Sequence, residues 1–315
     1  MFEAQDLATF ELRMLGRYWL RGVVGEGAFG QIYDARDMYT REILAVKAIR
    51  PDRTSADQVR RFHRERRILA RLQPHPHIVR LVNHGVDPEI GQGYIAMELL
   101  RGRTLRRMLD DGAALSVEHA CRLALHAGKA LEHASRLRVN HFDVQPKNIV
   151  VTDQDGALVG KLIDFGLANF SYEDVSHDFG NRPYMAPERF RGEGDRRSDV
   201  YSVGAIVYEM ITGAPAFPFG RDRSTALPSR FATEPSAVGD QLWDFVEQCL
   251  EFEPENRYRE WSEVTSALEE AAAAAGGAVA RRAAGAALGR RRPSNDTTAS
   301  SAPPAAADQD EDRLP

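Results

Sequence analysis

Short apolar runs punctuated by glycine fill residues 18–24, 30–34 and 43–49, and this pattern predicts strands joined by turns, a small sheet. The period then changes. Ser55-Ala56-Asp57-Gln58 has the spacing of a capped helix start, and Val59, Phe62, Leu69 and Leu72 recur behind it on one helical face. Glu65 falls in the same stripe, and a lone carboxylate on a core-facing stripe needs a cation. Strand-like segments follow at 78–82 and 93–100. From Ser116 onward the pattern is mainly helical, with Ala120, Leu123, Ala127, Leu131 and Ala134 at helical spacing. Two more core helices are predicted, over 199–212, stopped by Gly213 and Pro215, and over 239–252, stopped by Pro254.

This order, strands first and helices after, predicts an α+β chain with a break near Arg101-Gly102. The expected organisation is an N-terminal extension over 1–16 and a folded domain over 17–268, divided into a small lobe, 17–100, and a larger one, 101–268. From about Glu270 the composition shifts to Ala, Gly, Arg, Pro, Ser and Asp, so 269–315 is expected to be a disordered tail. In that tail, phosphate on Ser294, Thr297 or Thr298 beside Arg290-Arg291-Arg292 would be favourable, which allows autophosphorylation or partner binding. A solvated linker is the plainer reading.

Composition narrows the choices. With 315 residues, 43% of them hydrophobic, the chain can bury a sizeable core. A net charge of −5 gives no signal for nucleic acid. The two cysteines, Cys121 and Cys249, lie far apart in helical patterns and read as buried small hydrophobes of a reducing compartment. The first residues lack the basic and apolar parts of a leader, and the Ala-rich stretch after Leu268 is broken by Arg281 and Arg282, so no membrane span and a cytoplasmic location are expected.

Two segments carry candidate chemistry. Gly25-Glu26-Gly27-Ala28-Phe29-Gly30 lies between strand-like runs, where missing side chains let backbone N–H groups approach phosphates. A Rossmann dinucleotide turn would need a helix directly after the glycines, but the strand-like Gln31-Ile32-Tyr33-Asp34-Ala35 follows; a plain Gly-rich hairpin stays open. Lys47 then stands inside the apolar run Ala45-Val46-Lys47-Ala48-Ile49, where a cation is costly unless paired, and Glu65 is its natural partner.

Further on come His141-Phe142-Asp143-Val144-Gln145-Pro146-Lys147-Asn148, Asp164-Phe165-Gly166, Pro183-Tyr184-Met185-Ala186-Pro187-Glu188, Asp199-Val200-Tyr201-Ser202-Val203-Gly204 and Pro254-Glu255-Asn256-Arg257. With the glycines, Lys47 and Glu65, this ordered set resembles the serine/threonine protein kinases, in the eukaryotic-like form found in bacteria, over about residues 17–268. The resemblance implies a two-lobed fold with a small antiparallel N-lobe sheet and one helix above a helical C-lobe. It implies ATP in the cleft, with Gly25, Gly27 and Gly30 over its phosphates and Lys47, paired with Glu65, aimed at them. Val24, Ile32, Ala45 and Val150 would sandwich adenine, Met97 would stand behind it, and Glu98 and Leu100 would offer backbone groups to its edge. Asp143 would take or orient the proton of a protein hydroxyl, and Asn148 and Asp164 would hold Mg2+. Glu188 would pair with Arg257, Asp199 would anchor the catalytic-loop backbone, and Leu69, Leu81, His141 and Phe165 would stack between the lobes.

Three positions depart from the family pattern. Gln145 stands where such kinases carry a Lys toward the γ-phosphate; Lys147 is expected to supply that charge instead. Phe142 replaces the Arg that pairs with a phosphorylated activation segment, so activity without that phosphorylation is expected, whatever happens at Ser171, Tyr172 or Ser176. Asn181 stands where Thr is usual, and its amide can hydrogen-bond like that hydroxyl. Two alternatives stay open: a nucleotide-binding pseudokinase or scaffold, favoured by Gln145 and Phe142, and a small-molecule kinase, disfavoured by Pro187, Glu188 and Arg257.

Overall fold

The computed structural model describes residues 14–27, 30–49, 56–112, 115–165, 168, 183–217 and 239–288. Three β-branched and glycine-punctuated runs become strands as expected: β2 (Tyr18–Gly27), β3 (Gly30–Asp37) and β4 (Ile43–Ile49). With β1 (Met14–Leu15), β5 (Leu81–Val86) and β6 (Gly93–Glu98) they form an antiparallel six-stranded sheet in the order β1-β2-β3-β4-β6-β5. The sheet thus begins inside the expected N-terminal extension, with Leu15 wholly buried.

The period of two along β4 decides what each residue meets. Leu44, Val46 and Ala48 join Leu15, Tyr18 and Tyr94 in a small outer core, whereas Ala45 and Ile49 join the main core with Phe62 and Leu69 of α1 (Ala56–Arg71). Lys47 lies between Ala45 and Ile49 on the face of the second set. Ser55, the expected helix cap, lies outside the described residues, as do Ala28, Phe29, Gly166, Ser171, Tyr172, Ser176 and Asn181.

The larger lobe carries α2 (Leu105–Asp110), α3 (Val117–Arg136), α4 (Arg196–Thr212), α5 (Asp240–Cys249) and α6 (Trp261–Leu288). Ser116 caps α3 by accepting from the His119 N–H at 3.2 Å, and Gly213, at φ 75°, ends α4. Every residue from Ser198 to Met210 of α4 is buried, so this helix runs through the core with no solvent face. Both cysteine thiols are free and buried, and burial pushes their pKa up, as expected of apolar fillers.

A second sheet was not predicted: β7 (Gly102–Thr104), β8 (Ile149–Gln154) and β9 (Ala157–Leu162), in that order. The two sheets are tied by the segment before β5. Val79 N–H donates to the Leu162 carbonyl at 2.9 Å, Leu162 N–H donates to the His77 carbonyl at 2.8 Å, and Ile78 bridges Leu162 in parallel. Beside this seam four imidazoles stack in two pairs, His75 on His133 at 4.9 Å and His77 on His126 at 4.0 Å between ring centroids.

By its contacts the chain divides into two units, Met1–Gly276 and Gly277–Pro315. The expectation of disorder from 269 is corrected in part. Helix α6 runs to Leu288, and Leu268 and Ala271 are buried in the main core. Alanine is the best helix former, and a helix already nucleated and docked by Trp261 and Val264 propagates through it at little cost. Residues from 289 on lie outside the described ones. Among the described residues no helix is long and apolar enough to cross a membrane.

Candidate active site

Lys47 and Glu65, predicted to pair, do so with both carboxylate oxygens: Nζ donates to Oε1 at 2.7 Å and to Oε2 at 2.8 Å. Each residue is at most 3% exposed. The third partner is Asp164, whose Oδ1 lies 3.6 Å from the same Nζ. Burial alone would lower the lysine pKa, but the Asp164 and Glu65 carboxylates outweigh it and hold the ammonium charged. One buried cation therefore faces two carboxylates, a cluster with surplus negative charge.

The catalytic-loop residues come from the turn between α3 and β8. Asp199, buried near the start of α4, accepts the N–H groups of His141 and Phe142, each at 2.7 Å. These two bonds hold Phe142 at φ 61°, a left-handed conformation that a bulky residue adopts only under constraint. Asp164, at φ 65°, also stands in the left-handed region. Burial lowers the His141 imidazole pKa against the pull of the Asp199 and Asp164 carboxylates; its Nδ1 accepts the Asp143 N–H at 3.3 Å while its ring packs 4.5 Å from Phe165. Leu69 and Phe165 share the main core, with Leu81 packed against it.

Asn148 gives its amide to the Asp143 carbonyl at 2.8 Å and to Asp143 Oδ2 at 3.1 Å, which leaves its Oδ1 as an acceptor. The Gln145 amide donates to Asp143 Oδ1. Lys147, on the 3-10 turn Pro146–Asn148, is exposed, and no ion pair holds it among the described residues. Among the described residues no three His, Cys, Asp or Glu side chains cluster as a closed metal cage. Asn148 and Asp164 lie on adjoining segments, the Ile163 N–H donating to the Asn148 carbonyl at 2.9 Å, and each carries a side-chain oxygen of the kind a hard cation takes.

The expected adenine-pocket residues differ in exposure. Ala45, Met97 and Val150 are buried, Ile32 is partly buried, and Val24 is 55% exposed. At Glu98 the N–H donates to the Arg80 carbonyl at 2.9 Å and the carboxylate binds Lys161 at 2.6 Å, and neither bond involves its carbonyl. Of the glycines, Gly30 has a demand of its own, since a Cβ there would sit 1.9 Å from the Ala48 carbonyl oxygen. It is glycine for close approach to β4, and a Cβ at Gly25 would meet only Ile32 at 3.8 Å.

Two arrangements escaped sequence reasoning. The Arg189 guanidinium lies over the Phe142 ring, 3.9 Å from its centroid. Arg106 bridges α2 to α4, donating to Glu209 Oε1 at 2.8 Å and to the Tyr184 hydroxyl at 3.1 Å. Nothing in local pattern marks either contact. By contrast the Glu188–Arg257 pair forms as expected, two-pronged at 2.8 and 2.9 Å, with Ser198 Oγ donating to Glu188 Oε1 at 2.7 Å.

Comparison with known proteins agrees with this geometry. The family described as protein kinase domain matches residues 18–270. A probable serine/threonine-protein kinase PknB of Bifidobacterium longum is 34% identical over 272 residues, covering 79% of this chain and 38% of that protein. Serine/threonine-protein kinase PknE of Mycobacterium tuberculosis is 36% identical over 210 residues, covering 64% of this chain and 36% of that one. The chain thus spans well under half the length of these curated relatives. The crystal structure of the Mycobacterium tuberculosis PknI kinase domain superposes with a TM-score of 0.64 at 27% identity, covering 82% of this chain and 97% of that chain. The chain belongs to the protein kinase family, on its bacterial serine/threonine branch.

Proposed function

We propose that this chain transfers the γ-phosphoryl group of ATP to serine or threonine hydroxyls of proteins, itself included. The observation that carries the reading is the shared position of Lys47 between Glu65 and Asp164, beside a loop that holds Asp143 and Asn148 in fixed relation. In the transfer the acceptor oxygen bonds to the γ-phosphorus, the bond to the bridging oxygen of ADP breaks, and the hydroxyl proton passes to Asp143. Lys47 orients the α- and β-phosphates. Asn148 and Asp164 would hold Mg2+, which when bound neutralises charge on the phosphates.

Lys147 is proposed to meet the γ-phosphate in place of the missing Lys at position 145, since it is an exposed cation on the same turn as Asn148. Phe142 removes the phosphate-reading Arg, so the active arrangement is proposed not to require phosphate on the activation segment. Val24, Ile32, Ala45, Met97, Val150 and the backbone at Glu98 and Leu100 form the proposed adenine site.

A pseudokinase is the second reading, favoured by the Gln145 amide on Asp143 Oδ1, which occupies the proposed proton acceptor. Transfer from labelled ATP, measured for wild type, Asp143→Asn and Lys147→Ala, separates the two. Activity abolished by the first change and lowered about 10²-fold by the second supports the kinase. ATP binding with no transfer by wild type supports the pseudokinase, and full activity of Lys147→Ala removes the charge replacement.

A further inference from the structure

Arg189 directly follows Glu188, yet the two side chains do different things. Glu188 is locked to Arg257 and Ser198, whereas Arg189 reaches the catalytic loop and covers the Phe142 ring. Its seat is built for it. Arg189 is only 7% exposed, its Nη1 donates to the Glu193 carbonyl at 3.2 Å, and Gly194, at φ 144°, leaves the room its stem occupies. A Cβ at Gly194 would stand 2.6 Å from Arg189 Cδ. Burial lowers the pKa of this guanidinium, and the Asp199 and Glu188 carboxylates offset only part of that.

The other end of the contact matters more. Phe142 precedes Asp143, and its N–H is one of the two that Asp199 fixes. A buried cation on the face of a partly buried ring is held firmly, and here it joins the 3-10 turn Pro187–Arg191 to the loop of the proposed proton acceptor. In the family pattern the Arg at the Phe142 position pairs with a phosphate on the activation segment. Here the ring stands on the catalytic loop and the cation, Arg189, is encoded on the later 3-10 turn.

We propose that Arg189 is a positioning residue: by stacking on Phe142 it holds the catalytic loop in its working shape and replaces the activation-segment phosphate. This rests on the reading above that Phe142 frees the chain from that phosphorylation. The full chain, treated with phosphatase and shown unphosphorylated by mass, should keep its activity. In that state Arg189→Gln should lower kcat roughly tenfold, the scale of a desolvated cation–π contact, with KM for ATP within about twofold. Phe142→Leu should do the same, and the double variant should be no worse than either single one.

Amide hydrogen exchange at residues 141–144 supplies a readout independent of turnover. Exchange should quicken there in Arg189→Gln but not at α5, whose slow exchange would show that the variant is folded. Unchanged kcat and unchanged exchange, or losses that add in the double variant, overturn the role of Arg189. Wild type that loses activity on dephosphorylation overturns the phosphate-free reading, whatever the variants do. Absence of transfer by wild type, with loop exchange still responding to Arg189→Gln, overturns the kinase reading and leaves the clamp supported.

Discussion

Two buried ion pairs among the described residues, Glu188–Arg257 and Lys47–Glu65, look alike and are built for different purposes. Glu188 is saturated: Arg257 takes both its oxygens, Ser198 adds a third bond, and the guanidinium spends its remaining donors on the carbonyls of Glu251, Phe252 and Arg197. Lys47 is shared, with Glu65 at 2.7 Å and Asp164 at 3.6 Å, so its surroundings carry more negative than positive charge. A saturated neutral pair holds two segments together. A pair with an unmatched carboxylate leaves room for another cation, and on the proposed function that cation would arrive with the nucleotide.

Breaking each pair in turn should separate these roles. Lys47→Met should reduce phosphoryl transfer about 10²-fold to 10³-fold, measured with labelled ATP. Its stability deficit against wild type should shrink as pH falls, because Glu65 without its lysine titrates above the unfolded value of about 4.3 and is stabilising only when protonated. Urea unfolding at pH 5 and pH 8 checks the sign; a deficit that grows toward acid refutes it. Arg257→Met should cost about 3–5 kcal/mol of unfolding free energy, since Glu188 is left buried and charged. In the Lys147→Ala background, Gln145→Lys should recover roughly tenfold of the lost transfer rate, restoring one cation near the γ-phosphate. No recovery would mean that the two positions do not serve the same phosphate.

The smallest expected effect tests a third, charge-averse region. Burial lowers the pKa of His75 and His126 to about 4 and lowers that of His77, assisted by His133 and His77 acting on His75, by His77, Lys129 and Arg122 on His126, and by Lys129 and Lys161 on His77. The unfolded chain then binds protons that the folded one refuses, so this stability is present above about pH 6.5 and is lost as pH falls toward 4. Scanning calorimetry should show Tm a few degrees lower at pH 5.5 than at pH 7.5, and replacing His75 and His126 by Gln should flatten that dependence.

How far the sequence led can be judged residue by residue. Strands β2 to β4 and the cores of α1, α3, α4 and α5 follow from periodicity, and Lys47 with Glu65 followed from the cost of unpaired charge. Strand β5 was expected at 78–82 but lies at Leu81–Val86, because Ile78 and Val79 are apolar for another reason, their bridge to Leu162. The β8–β9 hairpin was passed over although Asp155-Gly156, at φ 54° and 82°, is a hairpin-turn signal. The Arg189–Phe142 stack and the Arg106 bridge join residues far apart in sequence, and no periodicity encodes such contacts.

The seam at His77, Ile78 and Val79 carries a mechanical consequence. Because strand-type hydrogen bonds to Leu162 fasten the upper lobe to the lower at one corner, relative motion of the lobes that keeps them is a swing about that corner, not a separation. Lys47 rides on one arm of this swing and Asp164 on the other. The 3.6 Å between them is therefore a gauge of closure, and the seam is the pin about which it reads.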